Sequence, residues 1–246
     1  MRPHKLAQLA KKYAIPGGLD LEIPADLRSA TVSQPGHFVV FQDALEHGLR
    51  LPLPPFAITV LRHYQIHPSM LQAQSWGFIV GFLVRCLEAG AVPTIGLFKE
   101  FHTVAPTPKK RGFHFKSRVS RPKLLAENTK SVKRWRKKYF LVKNLPRFMP
   151  CPWADSLDTE RLNQRSFLTR EEAADLRRLS ALEQEDVLKV VSEDRLRRHG
   201  LSMSVGRRVR LEVEAEEGRI ERESRTAMVE LLPPQPRKER AVLCFL

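Results

Sequence analysis

Cysteine is scarce and scattered. Cys86, Cys151 and Cys244 are the only three in 246 residues, and no two lie in a CxxC pair. An odd number at such distances supports neither a disulfide framework nor a zinc finger and fits a reducing compartment, nucleus or cytoplasm. Long apolar runs are lacking too. The longest, Trp76 to Val84, stops at Arg85, far short of the roughly 20 residues that a membrane span needs. Residues 1–15 are too polar for the apolar stretch of a secretory signal. Cys244 stands third from the end, where prenylation requires it fourth. The expectation is an intracellular protein with no membrane anchor. Twelve glycines against eighteen prolines imply many fixed bends and few loose loops.

Catalytic signatures are missing as well. There is no Gly-rich phosphate loop, no GxSxG elbow, no Cys-His knuckle and no protease or polymerase motif. His63 and His67 have the i, i+4 spacing of two metal ligands, but Pro68 follows and no glutamate lies between them. The helix is expected to end between them, leaving surface or capping roles. Asp155, Asp158 and Glu160 fall in one hydrophilic turn. Two-metal nuclease chemistry needs carboxylates gathered from separate places, so these read as helix-start residues. No catalytic residue, metal site, cofactor or small-molecule ligand is expected.

What the chain does have is charge concentrated in one segment. The formal net charge is +15. Between Lys109 and Arg147 there are fifteen Lys or Arg and one acid, Glu127; the remainder holds 27 basic and 26 acidic residues. Clustered charge of one sign favours polyanions, above all the backbone of RNA or DNA. The alternative is a solvated basic surface. Cations alternate with rings in Lys133-Arg134-Trp135-Arg136-Lys137-Lys138-Tyr139-Phe140, as they do in Phe113-His114-Phe115-Lys116. Rings beside cations can stack bases while the cations hold phosphates. The same alternation describes two half-buried strands, which predicts a basic hairpin over residues 109–147 with Phe113, Phe115, Trp135 and Tyr139 inward. The candidate contacts are Lys109, Lys110, Arg111, Lys116, Arg118, Arg121, Lys123, Lys133, Arg134, Trp135, Arg136, Lys137 and Lys138.

The remaining pattern is helical. Leu6, Leu9 and Ala10 suggest a short helix broken by Pro16-Gly17-Gly18. Asp43 to Glu46 predicts another, capped by Gly48. Pro54 or Pro55 suits the first turn of a helix reaching Tyr64. The longest helix is expected over Ser69 to Ala89, with Ser69 as N-cap and Gly90 as its left-handed C-terminal residue. It is apolar almost all round, so it should be central. Gly77 and Gly81 within it should admit a close neighbour. Further helices are expected over Thr94 to His102, from the capping box Thr169-Arg170-Glu171-Glu172 to Ser180, over Leu182 to Val191, and over Ser192 to His199. Pro146 to Trp153 reads as extended.

One stretch is specific. Phe41 is followed by Gly48-Leu49, then Pro52, Pro54-Pro55-Phe56, Val60-Leu61, Tyr64, Pro68, Leu71, Phe82 and Cys86. This series resembles the plant gypsy-type transposon, or transposase-like, domain. The resemblance continues more loosely through Trp135, Tyr139, Phe140 and Leu201. It implies a retroelement-derived protein, Gag-like or accessory, with nucleic acid and self-association as candidate partnerships. A host protein–protein interaction module, or a truncated transposon relic without nucleic-acid binding, is the alternative.

The expected architecture is mainly α with a small β-hairpin inserted after the fourth helix, α+β at the margin. Residues 1–35 read as an N-terminal extension and 36–201 as the transposon-like domain. The domain divides into a helical core 38–104, the basic hairpin 109–147 and a second helical region 155–200. Residues 202–246 read as a charged, partly disordered tail.

Overall fold

The computed structural model describes residues 1–24, 37–107, 112–126, 135–143 and 157–202, with Trp135 described in its backbone alone. Along the chain the elements are α1 (Pro3–Lys12), β1 (Asp20–Glu22), β2 (His37–Phe41), α2 (Gln42–Glu46), α3 (Pro55–Tyr64), α4 (Ser75–Ala89), α5 (Ile95–Phe101), β3 (His102–Pro106), β4 (Phe113–Ser117), β5 (Leu125–Ala126), β6 (Tyr139–Lys143), α6 (Thr159–Asn163), α7 (Arg170–Ser180), β7 (Glu185–Asp186), α8 (Val187–Val190) and α9 (Glu193–Arg198). Helix predominates. The strands form an antiparallel sheet in the order β1-β6-β2, an antiparallel pair β3-β4 and a short parallel pair β5-β7.

Helix α4 is the centre. Every residue from Ser75 to Cys86 is buried. The Phe82 ring meets Phe56 at 5.5 Å, Phe98 at 5.3 Å, His102 at 5.8 Å and Phe101 at 6.3 Å. Gly90 ends the helix with φ 61°, as its position predicts. The start differs from the expectation at Ser69. Residues Pro68–Met70 make a 3-10 turn, in which the His67 ring accepts from the Ser69 N–H at 3.2 Å. Leu71 then bridges to Phe113, and the Gln72 N–H donates to the Phe113 carbonyl at 2.8 Å. A backbone engaged in that pairing cannot also coil, so α4 begins only at Ser75.

The two glycines of α4 receive neighbours, as expected. A Cβ on Gly77 would stand 2.8 Å from Val187 Cγ2 of α8, and one on Gly81 would stand 2.9 Å from Leu125 Cδ1 of β5. Neither contact is possible with a larger residue unless something shifts.

Among the described residues, the two strands expected to make a basic hairpin over 109–147 do not pair with each other. α5 runs directly into β3 at His102, and β3 pairs with β4 in the register Val104↔Phe115. The hairpin after the helices is therefore 102–117. Gly112 closes its loop with φ 148°, and a Cβ there would lie 2.3 Å from the Met70 carbonyl oxygen, so only glycine fits. β6 instead lies between β1 and β2, with Val142 opposite Leu21 and Leu141 opposite Val39. Tyr139, Phe140, Leu141 and Val142 are all buried. Four consecutive buried residues mark a strand covered on both faces, which a two-stranded solvent-facing hairpin cannot provide.

The later helices follow their local signals with one exception. Thr169 and Glu172 form the reciprocal capping box, and α7 ends at Ser180. Leu182 to Val191 is not one helix. Glu185–Asp186 first pairs in parallel with β5, and the Asp186 carboxylate then accepts from the Leu188 and Lys189 N–H groups to start α8. Side chains from α1 (Leu6, Leu9), β4 (Phe115), β6 (Phe140), α7 (Leu179) and α9 (Leu196) all belong to the core built around α4. The segment Pro146 to Trp153 and the tail from residue 203 lie outside the described residues.

Candidate nucleic-acid interface

The cations of the basic segment fall into two groups. Lys116 projects from β4 on the face opposite the buried Phe113 and Phe115, and it is exposed. Lys123, Lys137 and Lys138 are exposed as well, and Arg136 is half-buried. Of these, Lys116 is presented by a strand whose other face is buried in the core, Arg136 and Lys137 belong to a 3-10 turn, and Lys138 stands directly before β6.

Arg118 and Arg121 are engaged within the protein. Arg118 follows β4 directly; its Nε donates to the Lys99 carbonyl at 2.8 Å and its Nη2 to the Asn163 carbonyl at 2.7 Å. Burial, followed by repulsion from Arg165, pushes its pKa down. Arg121 directs Nη2 and Nε to Glu100 Oε2 at 2.6 and 3.0 Å. Arg165 Nε lies 4.0 Å from the same oxygen. Glu100 is buried, with 3% of its side chain exposed. Lys99, itself buried, has its pKa lowered by burial first and by Arg118 second. The positions that complete this arrangement, Lys99, Glu100, Asn163 and Arg165, lie outside segment 109–147. The isolated acid Glu100 beside Lys99 is the one local signal for it.

The described aromatics of the segment belong to the core. The Phe115 ring packs edge-on against Tyr64 at 5.0 Å and Phe98 at 5.1 Å, and Tyr139 meets Phe41 at 6.2 Å. Lys109, Lys110, Arg111, Lys133, Arg134 and the side chain of Trp135 lie outside the described residues.

His63, His67 and Asp158 take the roles their local sequence assigns. α3 ends at Tyr64, with Gln65 in the left-handed conformation at φ 53°. His63 is exposed. His67 is buried, bonds Ser69 Oγ at 2.7 Å, and has its pKa pushed down to about 4 by burial. Asp158 is the N-cap of α6, accepting from the Arg161 N–H at 3.0 Å. Asp155 lies outside the described residues. Among the described residues, no three of His, Cys, Asp and Glu are gathered where they could hold a metal ion, and no helix is long and apolar enough to cross a membrane.

A second ionic cluster fastens α4 to the C-terminal helices. Arg85 Nη1 reaches Glu88 at 2.9 Å and Glu185 at 2.5 Å, and Arg195 bonds the same two acids at 2.8 and 2.7 Å. The hydrogen bond from Arg195 holds the Glu185 pKa below the usual carboxylate range. This cluster is structural: each charge has its opposite beside it.

No curated protein and no solved structure matches the chain. A family model does match, over residues 39–106, from within β2 to the end of β3. The looser resemblance through Trp135, Tyr139, Phe140 and Leu201 lies beyond that match. The family is described as "Putative gypsy type transposon", and residues 39–106 carry that transposon-type domain.

Proposed function

We propose that the chain is a non-enzymatic, retroelement-derived protein, Gag-like or accessory in type, that contacts the backbone of RNA or DNA through segment 109–147. The observation carrying this reading is the charge asymmetry. Fifteen cations face one acid in that segment, while the rest of the chain is nearly neutral. Lys116, Lys123, Lys137 and Lys138 stand exposed, a disposition suited to phosphates. Phosphate contacts position a protein without reading sequence, so the binding is non-specific. The compartment proposed is nucleus or cytoplasm, where the nucleic acid is.

The reading includes no catalytic step. Asp158 and His67, each weighed in a different candidate arrangement, serve as caps. Incubating the protein with DNA and magnesium or manganese should leave strands intact. Cleavage abolished by Asp155→Ala or Asp158→Ala would contradict this part. The binding itself is tested by titrating RNA and duplex DNA at two salt concentrations. Affinity that falls steeply with salt supports the proposal. No affinity even at low salt would make the basic segment a solvated surface and favour a protein-interaction module.

A further inference from the structure

Phe167 is the most exposed large apolar side chain among the described residues, with its full surface in water. It sits between α6 and α7 in a loop that is otherwise anchored. Its neighbour Leu168 packs on the core, with Cδ2 3.1 Å from where a Cβ on Gly96 would stand. Leu168 is thus turned to the core while Phe167 beside it stands in water. On the same surface, Val119 in the turn after β4 is also almost wholly exposed. Arg165 joins the loop to that turn, donating from Nη2 to Ser120 Oγ at 2.6 Å.

Arg165, two residues before Phe167 in the same loop, leads to further cations. Arg121 and Arg165 converge on Glu100, with 30% and 48% of their side chains exposed. Arg118 lies close enough to feel both charges. Arg121 and Arg165 thus share one buried carboxylate, with Arg118 held nearby on backbone carbonyls, leaving an excess of positive charge that is already positioned. Fixing these groups in advance removes much of the ordering cost of binding an anion.

We propose that Phe167, together with Arg165 of the same loop and Arg121, which meets Arg165 at Glu100, forms a stacking site for single-stranded nucleic acid: an unpaired base lies on the Phe167 ring and the adjoining phosphate meets the guanidinium groups. An aromatic ring among cations is what sequence-tolerant single-strand binding requires. A duplex keeps its bases stacked inside and offers this ring nothing. The inference rests on the nucleic-acid reading above and specifies the form of nucleic acid and a contact outside segment 109–147.

The test measures affinity for a 20-nucleotide oligo(dT) or oligo(U), for a 20-base-pair duplex and for vesicles rich in anionic lipid. Phe167→Ala should bind single strands roughly 10- to 100-fold more weakly, with duplex affinity and thermal midpoint unchanged, because the ring packs on nothing that holds the fold. Phe167→Trp should retain single-strand affinity. Arg165→Gln should weaken single strands and reduce their salt dependence. If wild type binds single strands and Phe167→Ala binds them equally well, the stacking site is overturned while the lysine-based reading stands. An equal loss on single strands and duplex, or an effect of Phe167 confined to vesicles, also overturns it. Binding of neither nucleic acid by wild type defeats both proposals together.

Discussion

Arg50 and Glu193 meet across 143 positions of sequence, with Arg50 Nη2 and Nε 2.6 and 3.1 Å from the same Glu193 oxygen. The same guanidinium donates to the Leu45 and Leu49 carbonyls and lies 4.8 Å over the Tyr13 ring. One side chain thus ties α1, the transposon-type domain and α9 together. Burial works against ionisation of Glu193, but bonds from Ser202 and Arg50 outweigh it and leave its pKa lowered. Removing one partner of a fully buried pair costs about 3–5 kcal/mol. Glu193 keeps a quarter of its side chain in water, so Glu193→Ala should cost less, about 2 kcal/mol. Urea unfolding of wild type, Arg50→Ala, Glu193→Ala and the double variant measures this. The single losses should not add.

The close approach at Gly77 makes a second prediction. Alanine would favour the helix by about 1 kcal/mol, but its Cβ would meet the stiff Val187 side chain at 2.8 Å. Overpacking costs about 1–3 kcal/mol, so Gly77→Ala should destabilise by about 1 kcal/mol. Val187→Ala in the same chain should recover part of that loss. At Gly81 the contact is with the end of a leucine, which can turn, so Gly81→Ala should be closer to neutral. Thermal unfolding of wild type and the three variants distinguishes these outcomes.

Buried histidines set a pH dependence. Burial pushes His67 down to about 4 and His102 down to about 3, from an ordinary 6.5. The Phe98 carbonyl bonded to His102 Nδ1 works against that shift, and Arg118 adds to it. Between those limits the unfolded chain binds protons that the folded chain does not, so stability is full above about pH 6.5 and declines as pH falls. Each histidine contributes up to about 1.4 kcal/mol per pH unit within its window. Glu185 and Glu193, with lowered pKa values, add to the loss below pH 4.5. Urea midpoints at pH 7, 6 and 5 should fall in that order, and His102→Gln should flatten the slope if the variant folds; His67→Gln is the independent check.

Asp43 acts in the opposite direction. It is buried, and its Oδ2 has no hydrogen-bond partner. Burial first, then Glu46, raises its pKa above the ordinary 3.8. Stability from this group is lost as pH rises through that range. Asp43→Asn should therefore stabilise the protein at pH 8 by about 1 kcal/mol, with the gain vanishing in acid. Unfolding midpoints at pH 8 and pH 4 check the sign.

Features set by neighbouring residues were legible in the sequence. Pro55 opens α3, Gly90 ends α4, and Thr169 and Glu172 cap α7, each through contacts within a few positions. Features set by distant pairing were not. Phe113–Ser117 and Tyr139–Lys143 carry the letters of two strands, but nothing in those letters names β3 as the partner of one and β1 and β2 as partners of the other. The start of α4 was hidden for the same reason, since Leu71 is held by Phe113. In the candidate interface the clustered charge was plain. The engagement of Arg118 and Arg121 was not, because Glu100 and the Asn163 carbonyl reach them only through the fold.

The central claim is that exposed lysines of the basic segment hold nucleic-acid phosphates, and the most direct measurement is the salt dependence of binding. If about six phosphates are neutralised, log affinity for duplex DNA should fall against log salt with a slope on the order of −5. Replacing Lys116, Lys123, Lys137 and Lys138 with glutamine should flatten that slope and weaken binding to all sequences alike, without moving the thermal midpoint. A slope unchanged by the four substitutions, or the absence of binding by wild type at low salt, would contradict the account.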